Sequence, residues 1–531
     1  MPEMKEKMRE IQNFFGAESV EDLSAKLLET VLGDNSKKIF DEYLELVGNI
    51  ETDFLQKGYQ FYLSDRGKGT KQQDFTPTSI AKLCGRLAEC PAEGVVYDCC
   101  AGSGALTIAK HKQDKSLRFV CEELDENVIP FLLFNLAIRG IEADVIHGDV
   151  LKNEIYKVYT VKPYGKYSKV EPLPEADLQS YELGQFDAVI SNPPYNISWD
   201  PPQDEDLFGN VDERFAGYDM PPKGNANFAF ALHCIHHTKT GGSVSMILPC
   251  GTLSDEDGTK NIRKQLTDNK LIDSVVVMPD KMFESTSIPT CLLTLRQGRE
   301  GIALVDARQT CHEEIRRQRG EGDKCHTNRI YHKALKVFTD EDIEKIVCAI
   351  EKRENMPEFS KTVTPEELAE GDYILTPGRY IEFQEREETH RPFADIVNDI
   401  RAISKEINAV KITMNQTIAK QMGWDKTAEL VEQSAKNTEK INNTTIKFLG
   451  LEPIEPENWI RLSKKAGEIK IENTSKESIS SIFAIFMPML KQHIYYLNNC
   501  ENELLKELQQ ALLPELMSGK LDVSRFDLPQ E

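Results

Sequence analysis

The spacing of apolar residues changes character twice along the chain. Up to about residue 70 it is helical: Leu23, Leu27, Leu28 and Val31 share one face, Phe40, Tyr43, Leu44 and Val47 share another, and Gly33-Asp34-Asn35-Ser36 breaks the pattern between them. This predicts a small helical N-terminal domain over 1–70. From 71 to 389 the apolar stretches shorten to strand length, at 95–97, 117–121, 143–146, 186–191, 243–248, 271–278 and 291–295. Continuous runs of that length, separated by helical spacing, read as strands buried on both faces. The fold class predicted is α/β, with a seven-stranded, mostly parallel sheet flanked by helices. Residues 151–185 and 196–225 read as irregular insertions, the second carrying Trp199 and the acidic run Asp204-Glu205-Asp206. From 390 to 531 the period returns to alternating steps of four and three, through Ile396, Ile400, Ile403, Ile407, Val410 and Met414, and again through Leu490, Ile494, Leu497, Leu504, Leu508 and Ala511 with Glu501 as a polar interruption. A helical, coiled-coil tail follows, whose two seams pair with each other or with another chain.

The ends of the predicted strands carry the chemistry, as expected where ligands sit beyond the carboxyl edge of an open α/β sheet. The first strand ends in Asp98 and runs through Cys99-Cys100-Ala101-Gly102-Ser103-Gly104 into a helix. Small residues there let backbone approach a ligand, and a helix N-terminus favours a carboxylate. Asp98 can accept from an ammonium group. The spacing is not that of a dinucleotide fingerprint, which disfavours nicotinamide cofactors. The second strand ends in Glu122-Glu123, about where a ribose diol would be bound, and the third in Asp149, which is also what a turn aspartate looks like. The fourth ends abruptly in Asn192-Pro193-Pro194-Tyr195. Asn192 offers a carbonyl, the prolines fix the backbone so that a main-chain carbonyl joins it, and Tyr195 offers a flat face, a set suited to a planar amine. Alone, the tetrapeptide is also what a proline-bearing surface loop looks like.

Composition narrows the classes. A net charge of −23 is the opposite of what a protein gripping nucleic acid alone would carry, so any affinity for nucleic acid is expected to come largely from a more basic partner. No run of 18 apolar residues occurs and the start is charged, so a cytoplasmic protein is expected. The 12 cysteines are scattered, several in apolar stretches, as reduced core thiols are. Cys311-His312 and Cys325-His326 fit no familiar ligand spacing, so no metal is expected. Pro249-Cys250 raises covalent cytosine chemistry, but it follows the fifth strand, and a core cysteine is the better reading. A Gly-x-x-x-x-Gly-Lys-Ser/Thr phosphate loop is missing from the sequence, so nuclease or helicase work would need another chain.

Residues 71–80 read as a polar loop entering a helix, with Thr76 as its cap and Pro77 at the first helical position. Asn192-Pro193-Pro194-Tyr195 resembles the catalytic motif of the amino-methyltransferases, and Phe75-Thr76-Pro77, roughly 20 residues before the glycine turn, resembles their N-terminal cofactor lid. Gly241–Pro249, Ile262–Leu266, Ile288–Leu293 and Tyr373–Tyr380 extend the resemblance, over about 70–385, to the modification subunit of Type I restriction-modification systems. The glycine turn departs from that family, with Cys99-Cys100-Ala101 where a proline, a small residue and a cysteine are usual, and Ala105 where glycine is common. Leu508–Val523 resembles the helical end of the specificity subunit in the same systems. The resemblance implies a Rossmann-like methyltransferase sheet and an adenine-N6 DNA methyltransferase using S-adenosylmethionine. It implies cofactor contacts from Gln73, Phe75, Thr76, Pro77, Asp98, Gly102, Ser103, Gly104, Glu123 (favoured over Glu122 by register) and Asp149, and catalysis by Asn192, Pro193, Pro194 and Tyr195 on a flipped base. Partners implied are double-stranded DNA, a specificity subunit and, through it, a second modification subunit and a restriction subunit. Cytosine N4, RNA or a protein glutamine as acceptor, and a non-catalytic cofactor-binding role, stay open at this point.

Overall fold

The computed structural model describes residues 2–50, 55, 76–202, 212–255, 258–283, 288–319, 330–382, 391–392, 394–407, 500–507 and 510. Two compact units divide the chain, Met1–Gln384 and Glu385–Glu531.

The first unit is organised by β1 (Val95–Asp98), β2 (Arg118–Glu123) and β3 (Ala143–Asp149), the valine-rich runs that the pattern marks as buried. β4 (Glu154–Tyr164) and β5 (Tyr167–Pro172) follow as a hairpin, then β6 (Phe186–Ser191), β7 (Thr238–Pro249), β8 (Ile272–Val277), β9 (Thr290–Arg296) and β10 (Ile302–Asp306). A separate ribbon is made of β11 (His312–Arg319) and β12 (Ile330–Val337), and β13 (Ser360–Val363) closes the main sheet, whose order is β13-β10-β8-β9-β7-β6-β1-β2-β3-β4-β5. Pairing is parallel through β3-β2-β1-β6-β7, and β9 inserts antiparallel between β7 and β8.

The sheet therefore has 11 strands and not seven, a correction with two causes. Within 151–185, expected to be irregular, residues 154–172 form the β4–β5 hairpin: Tyr159, Val161 and Val170 are buried in one core and Val158 in the other, Lys157, Lys162 and Lys169 are exposed, and Gly165 turns the chain with φ +76°. Their lysine and proline content masks an ordinary half-buried alternation. On the opposite edge β10, wholly buried, and the four-residue β13 add two more strands. The β10 run, Ile302-Ala303-Leu304-Val305, is apolar like the seven expected strands but shorter than most of them.

Alternating side chains of the sheet feed two cores. One collects Val96, Phe119, Val145 and Ile190 under the helices Thr78–Leu87, Ala105–Gln113 and Ile129–Ile138; the other collects Tyr97, Val120, Val189 and Met246 under Asn227–His236 and Lys260–Asp268. The helix Ile129–Ile138 is buried on all sides because the N-terminal helices Val20–Leu32 and Ser36–Val47 cover its outer face. Phe134 is the hub, with ring centroids 5.6 Å from Phe15, 5.2 Å from Phe40 and 5.1 Å from Tyr43, all near edge-to-face. Among the described residues no helix is long and apolar enough to cross a membrane, and the 11 described cysteines are all free thiols.

In the second unit, residues 394–407 and 500–507 are helical. Ile396 and Ile407 are buried, Ser404 Oγ donates to Glu501 Oε1 at 2.9 Å, and Arg391 pairs with Glu507 at 3.4 Å. Residues 391 and 404 thus contact residues 507 and 501 within this unit. Val410, Met414, Leu490, Ile494, Leu497, Leu508 and Ala511, with the segment to Val523, lie outside the described residues.

Removing the hub ring should uncouple the N-terminal helices from the sheet. Phe134→Ala is expected to cost roughly 3–5 kcal/mol of unfolding free energy, measured by urea denaturation, and to raise amide exchange across Val20–Val47 before the strands exchange.

Candidate active site

Because β1, β2, β3 and β6 run parallel, their carboxyl ends lie side by side, and the residues following them line a single cavity of about 400 Å³. Gly102 and Ser103 form its base, Glu123, Asp125 and Asp149 one wall, and Asn192, Pro193, Pro194 and Tyr195 the other. That volume lies within the range of small-molecule sites.

At the glycine turn the chain enters the helix Ala105–Gln113 through Gly104, whose φ of +95° is a left-handed conformation that L side chains rarely adopt. A Cβ there would meet Leu132 Cδ1 at 3.0 Å, so Gly104 serves close packing behind the turn and does not itself line the cavity. Ser103 Oγ is buried with no hydrogen-bond partner among the described residues. A buried hydroxyl beside a helix N-terminus at the base of a cavity fits a ligand carboxylate.

Asp98 departs from its expected position: it is fully buried and forms no part of the cavity lining. One of its oxygens accepts from Thr107 Oγ1 at 2.8 Å, the other has no partner among the described residues, and burial pushes its pKa up to about 7.

Glu122 and Glu123 separate as neighbouring strand residues must. Glu123 lines the cavity and accepts the N–H groups of Gly102 (2.9 Å) and Asp125 (2.8 Å), with burial raising its pKa. Glu122 turns to the other face, where Tyr97 Oη donates to it at 2.5 Å and burial pushes it up to about 8. Arg214 can only donate, so His233 Nδ1 accepts from it (3.2 Å) and the imidazole proton sits on Nε2, facing Tyr97 Oη at 3.0 Å. Burial holds His233 well below its usual pKa, which keeps the ring neutral. Asp149 accepts from the N–H groups of Leu151 (3.1 Å) and Lys152 (3.2 Å) and remains half-buried on the cavity wall.

The lid residues fall in three groups. Gln73 and Phe75 lie outside the described residues. Pro77 is the N-cap of Thr78–Leu87 and not its first helical residue, and no side chain caps that helix, so the capping role expected of Thr76 is not what the structure places there. Thr76 Oγ1 instead accepts from Asn192 Nδ2 at 2.9 Å. Tyr195 Oη donates to Asn192 Oδ1 at 2.7 Å, so the carboxamide is held at both ends. Tyr195 is buried and lies edge-to-face with Phe283, centroids 6.4 Å apart.

Several lining residues carry little signal in the sequence. Leu124 and Asp125 directly follow Glu123, a proximity that could flag them, whereas Val150, Ile197, Ser198 and Phe230 carry no motif. The second insertion is ordered where described: Trp199 is buried against Phe215 at 5.4 Å, and its Nε1 donates to the carbonyl of Pro222 at 3.1 Å. Arg214 returns from this insertion to donate to the carbonyls of Val150 (2.5 Å) and Leu151 (3.1 Å), both on the cavity wall.

Comparison with known proteins gives the same direction. The chain is 29% identical over 394 residues to the HindI methylase subunit of a Type I restriction enzyme from Haemophilus influenzae, covering 70% of this chain and 78% of that one. To the MpnII methylase subunit from Mycoplasma pneumoniae it is 27% identical over 369 residues, 65% of this chain and 62% of that one. Among solved structures, the methyltransferase subunit of a type I restriction-modification system from Streptococcus thermophilus aligns with a TM-score of 0.49 at 23% identity, covering 71% and 80% of the two chains. The N-6 DNA methylase family model matches residues 51–389, well over half of the chain, and with the four strand ends gathered on one cavity the chain belongs to that family.

Proposed function

We propose that this chain is the modification subunit of a Type I restriction-modification system, transferring a methyl group from S-adenosylmethionine to N6 of an adenine in double-stranded DNA. The observation that carries the reading is that one cavity joins the glycine turn and Glu123 to an asparagine carboxamide fixed at both ends. Family membership and the named relatives support the same assignment.

Bound S-adenosylmethionine supplies an electrophilic methyl group on sulfur, and the chain positions everything else. Ser103 Oγ, a buried hydroxyl without a partner among the described residues, would receive the ligand's carboxylate. Glu123 already accepts two N–H groups, yet a carboxylate has about four lone-pair sites, so it retains capacity for a ribose diol. Asp149 is likewise placed to accept from the cofactor's adenine amine. Asp98, screened from the cavity, supports the turn from beneath and is not assigned a direct contact.

The target base leaves the stack to reach the cavity. Asn192 Oδ1 and the carbonyl of Pro193 then accept the two N–H bonds of its exocyclic amine, which directs the nitrogen lone pair at the methyl group. Fixed carbonyl dipoles meet the positive charge that grows on nitrogen, without solvent reorganisation. Tyr195 currently caps Asn192 Oδ1, so the incoming amine exchanges one donor for another and frees the ring to stack on the base. Thr76, by accepting from Nδ2, keeps Oδ1 turned to the substrate side. The acidic chain takes its DNA from a specificity subunit, with a second modification subunit and a restriction subunit completing the assembly.

Three tests follow. Asn192→Ala should lower methylation by roughly 100-fold or more while calorimetry finds S-adenosylmethionine binding unchanged, and single-molecule sequencing of DNA from a methylation-free host should show N6-methyladenine at one motif only when the specificity subunit is co-expressed. Methylated cytosine N4, or no mark with either arrangement, would overturn the assignment. Thr76→Val should slow the transfer step about 10-fold, the worth of one hydrogen bond, with Thr76→Ser restoring it. The third concerns Asp98, whose pKa rises on folding from 3.8 to about 7. Its contribution to stability is complete below about pH 4 and is lost as pH climbs through about 7, where the buried carboxylate must ionise. The melting temperature of Asp98→Asn should thus fall less between pH 5 and pH 8 than that of the parent, by scanning calorimetry.

A further inference from the structure

The backbone leaves the catalytic turn in a conformation that needs support. Asn196, the residue after Tyr195, has φ +53°, in the left-handed region that L residues rarely adopt. It is exposed, so burial of its own side chain does not hold it there. What holds it is Asn227, the buried first residue of the helix Asn227–His236. Its Oδ1 accepts the backbone N–H of Asn196 at 3.1 Å, while its Nδ2 donates to Asn196 Oδ1 at 3.0 Å and to Thr252 Oγ1 at 3.1 Å. A backbone N–H can only donate, which fixes the orientation of the Asn227 carboxamide.

This clasp stands on a fixed base. Asn225 Oδ1 accepts the N–H of Asn227 at 3.0 Å, the N–H of Ala226 donates to the carbonyl of Ile197 at 2.9 Å, and the N–H of Trp199 donates to the carbonyl of Lys223 at 2.9 Å. The insertion that leaves the turn is therefore closed at its root. Thr252 follows β7, the parallel neighbour of β6, so Asn227 also ties that root to the sheet. Asn227, Phe230 and His233 are spaced by three and share one face of the helix; Phe230 lines the cavity, and His233 accepts from Arg214, which grips the carbonyls of Val150 and Leu151 on the cavity wall. One helix face thus serves the catalytic turn, the cavity and its opposite wall in succession.

From this clasp we propose that Asn227 is a positioning residue for methyl transfer, which holds Asn196 left-handed and so fixes the backbone beyond Tyr195 while the tyrosine ring moves from Asn192 to the base. The inference rests on the proposed function, in which that ring gives up its bond to Asn192 and stacks. It deepens the reading by naming what keeps the turn still. Pro193 and Pro194 restrict φ on the near side of Tyr195. With both flanks fixed, the exchange is confined to side-chain torsions, and Asn192 Oδ1 and the carbonyl of Pro193 keep their aim. Without Asn227, the N–H of Asn196 loses its acceptor and the left-handed residue relaxes toward the commoner regions, carrying Tyr195 with it. Asn227 itself does not line the cavity, so its effect reaches the reaction through Asn196.

The test uses the full chain assembled with its specificity subunit, and reads the single-turnover rate of methyl transfer to a duplex containing the methylated motif together with the Kd for S-adenosylmethionine. Asn227→Ala should slow transfer about 10-fold, the worth of one hydrogen bond, and leave that Kd unchanged. Adding Asn196→Gly should recover most of the loss, because glycine enters the left-handed region freely, whereas adding Asn196→Ala should recover none. If Asn227→Ala folds poorly, the exposed position carries the test alone: with Asn227 in place, Asn196→Ala should slow transfer more than Asn196→Gly does. An unchanged rate in folded Asn227→Ala, or equal rates for the two substitutions at 196, overturns the positioning role and leaves the methyltransferase reading standing. A loss of S-adenosylmethionine affinity in step with the rate also overturns it, in favour of a general loosening of the cavity. A parent complex that methylates no DNA overturns both.

Discussion

Everything at the site depends on parallel pairing about β1. An antiparallel neighbour would carry its loop to the far edge of the sheet; because β2 and β6 both run alongside β1 in the same sense, Asp98, Glu123 and Ser191 finish at one edge and the segments that follow must share a space. The ladder sets Tyr97 beside Val120 on one side and Val189 on the other, so the distance between the glycine turn and the asparagine turn is set by hydrogen-bond register and not by loop flexibility. In the proposed function these two turns would hold a methyl donor and a methyl acceptor in line, and would gain from that rigidity, since effective concentration drops when reacting atoms are misplaced by about an ångström.

Behind the cavity, the same alternation that sends Glu123 forward sends Glu122 back into a buried polar chain of Tyr97, His233, Arg214 and Asp212. The guanidinium on this path is fully engaged: Asp212 takes two nitrogens of Arg214, and the remaining donors go to His233 and to the carbonyls of Val150 and Leu151. Buried charge is tolerated only under such full satisfaction. Its structural consequence is that the insertion after the catalytic motif is bolted to the wall on which the cofactor's adenine would rest. The insertion and the cofactor wall are therefore energetically linked, although they come from segments more than 60 residues apart.

What is legible in the sequence is what local chemistry dictates. The strands β1, β2, β3, β6, β7, β8 and β9 announce themselves because burial on both faces demands continuous apolar runs, and the polar turns at their ends because ligands need groups there. The β4–β5 hairpin is not legible, since a half-exposed edge carries lysines and resembles a loop. Position at a strand end points Asp98 to the ligand; which of two faces an end residue takes, and how deep it lies, is decided by the helix packed over it, here through Thr107. Thr76 reads locally as a helix cap and a cofactor contact, because nothing local can reveal that residue 192 arrives at its hydroxyl.

The carboxamide of Asn192 shows how a site can be ordered before its substrate arrives. An unpaired amide oxygen in a cavity beside buried rings would cost free energy, and Tyr195 removes that cost by donating its hydroxyl hydrogen. The same contact makes entry of a target amine an exchange of hydrogen bonds, so little enthalpy separates the two arrangements and the difference falls to stacking. A flat, aromatic amine gains by stacking on the released ring, worth about 1–3 kcal/mol, whereas water or a small aliphatic amine gains nothing to offset the loss of the tyrosine bond. In the proposed function the resting contact would itself discriminate for a nucleobase, and the asparagine, the tyrosine and the threonine behind them form one hydrogen-bonded unit whose parts cannot be valued separately.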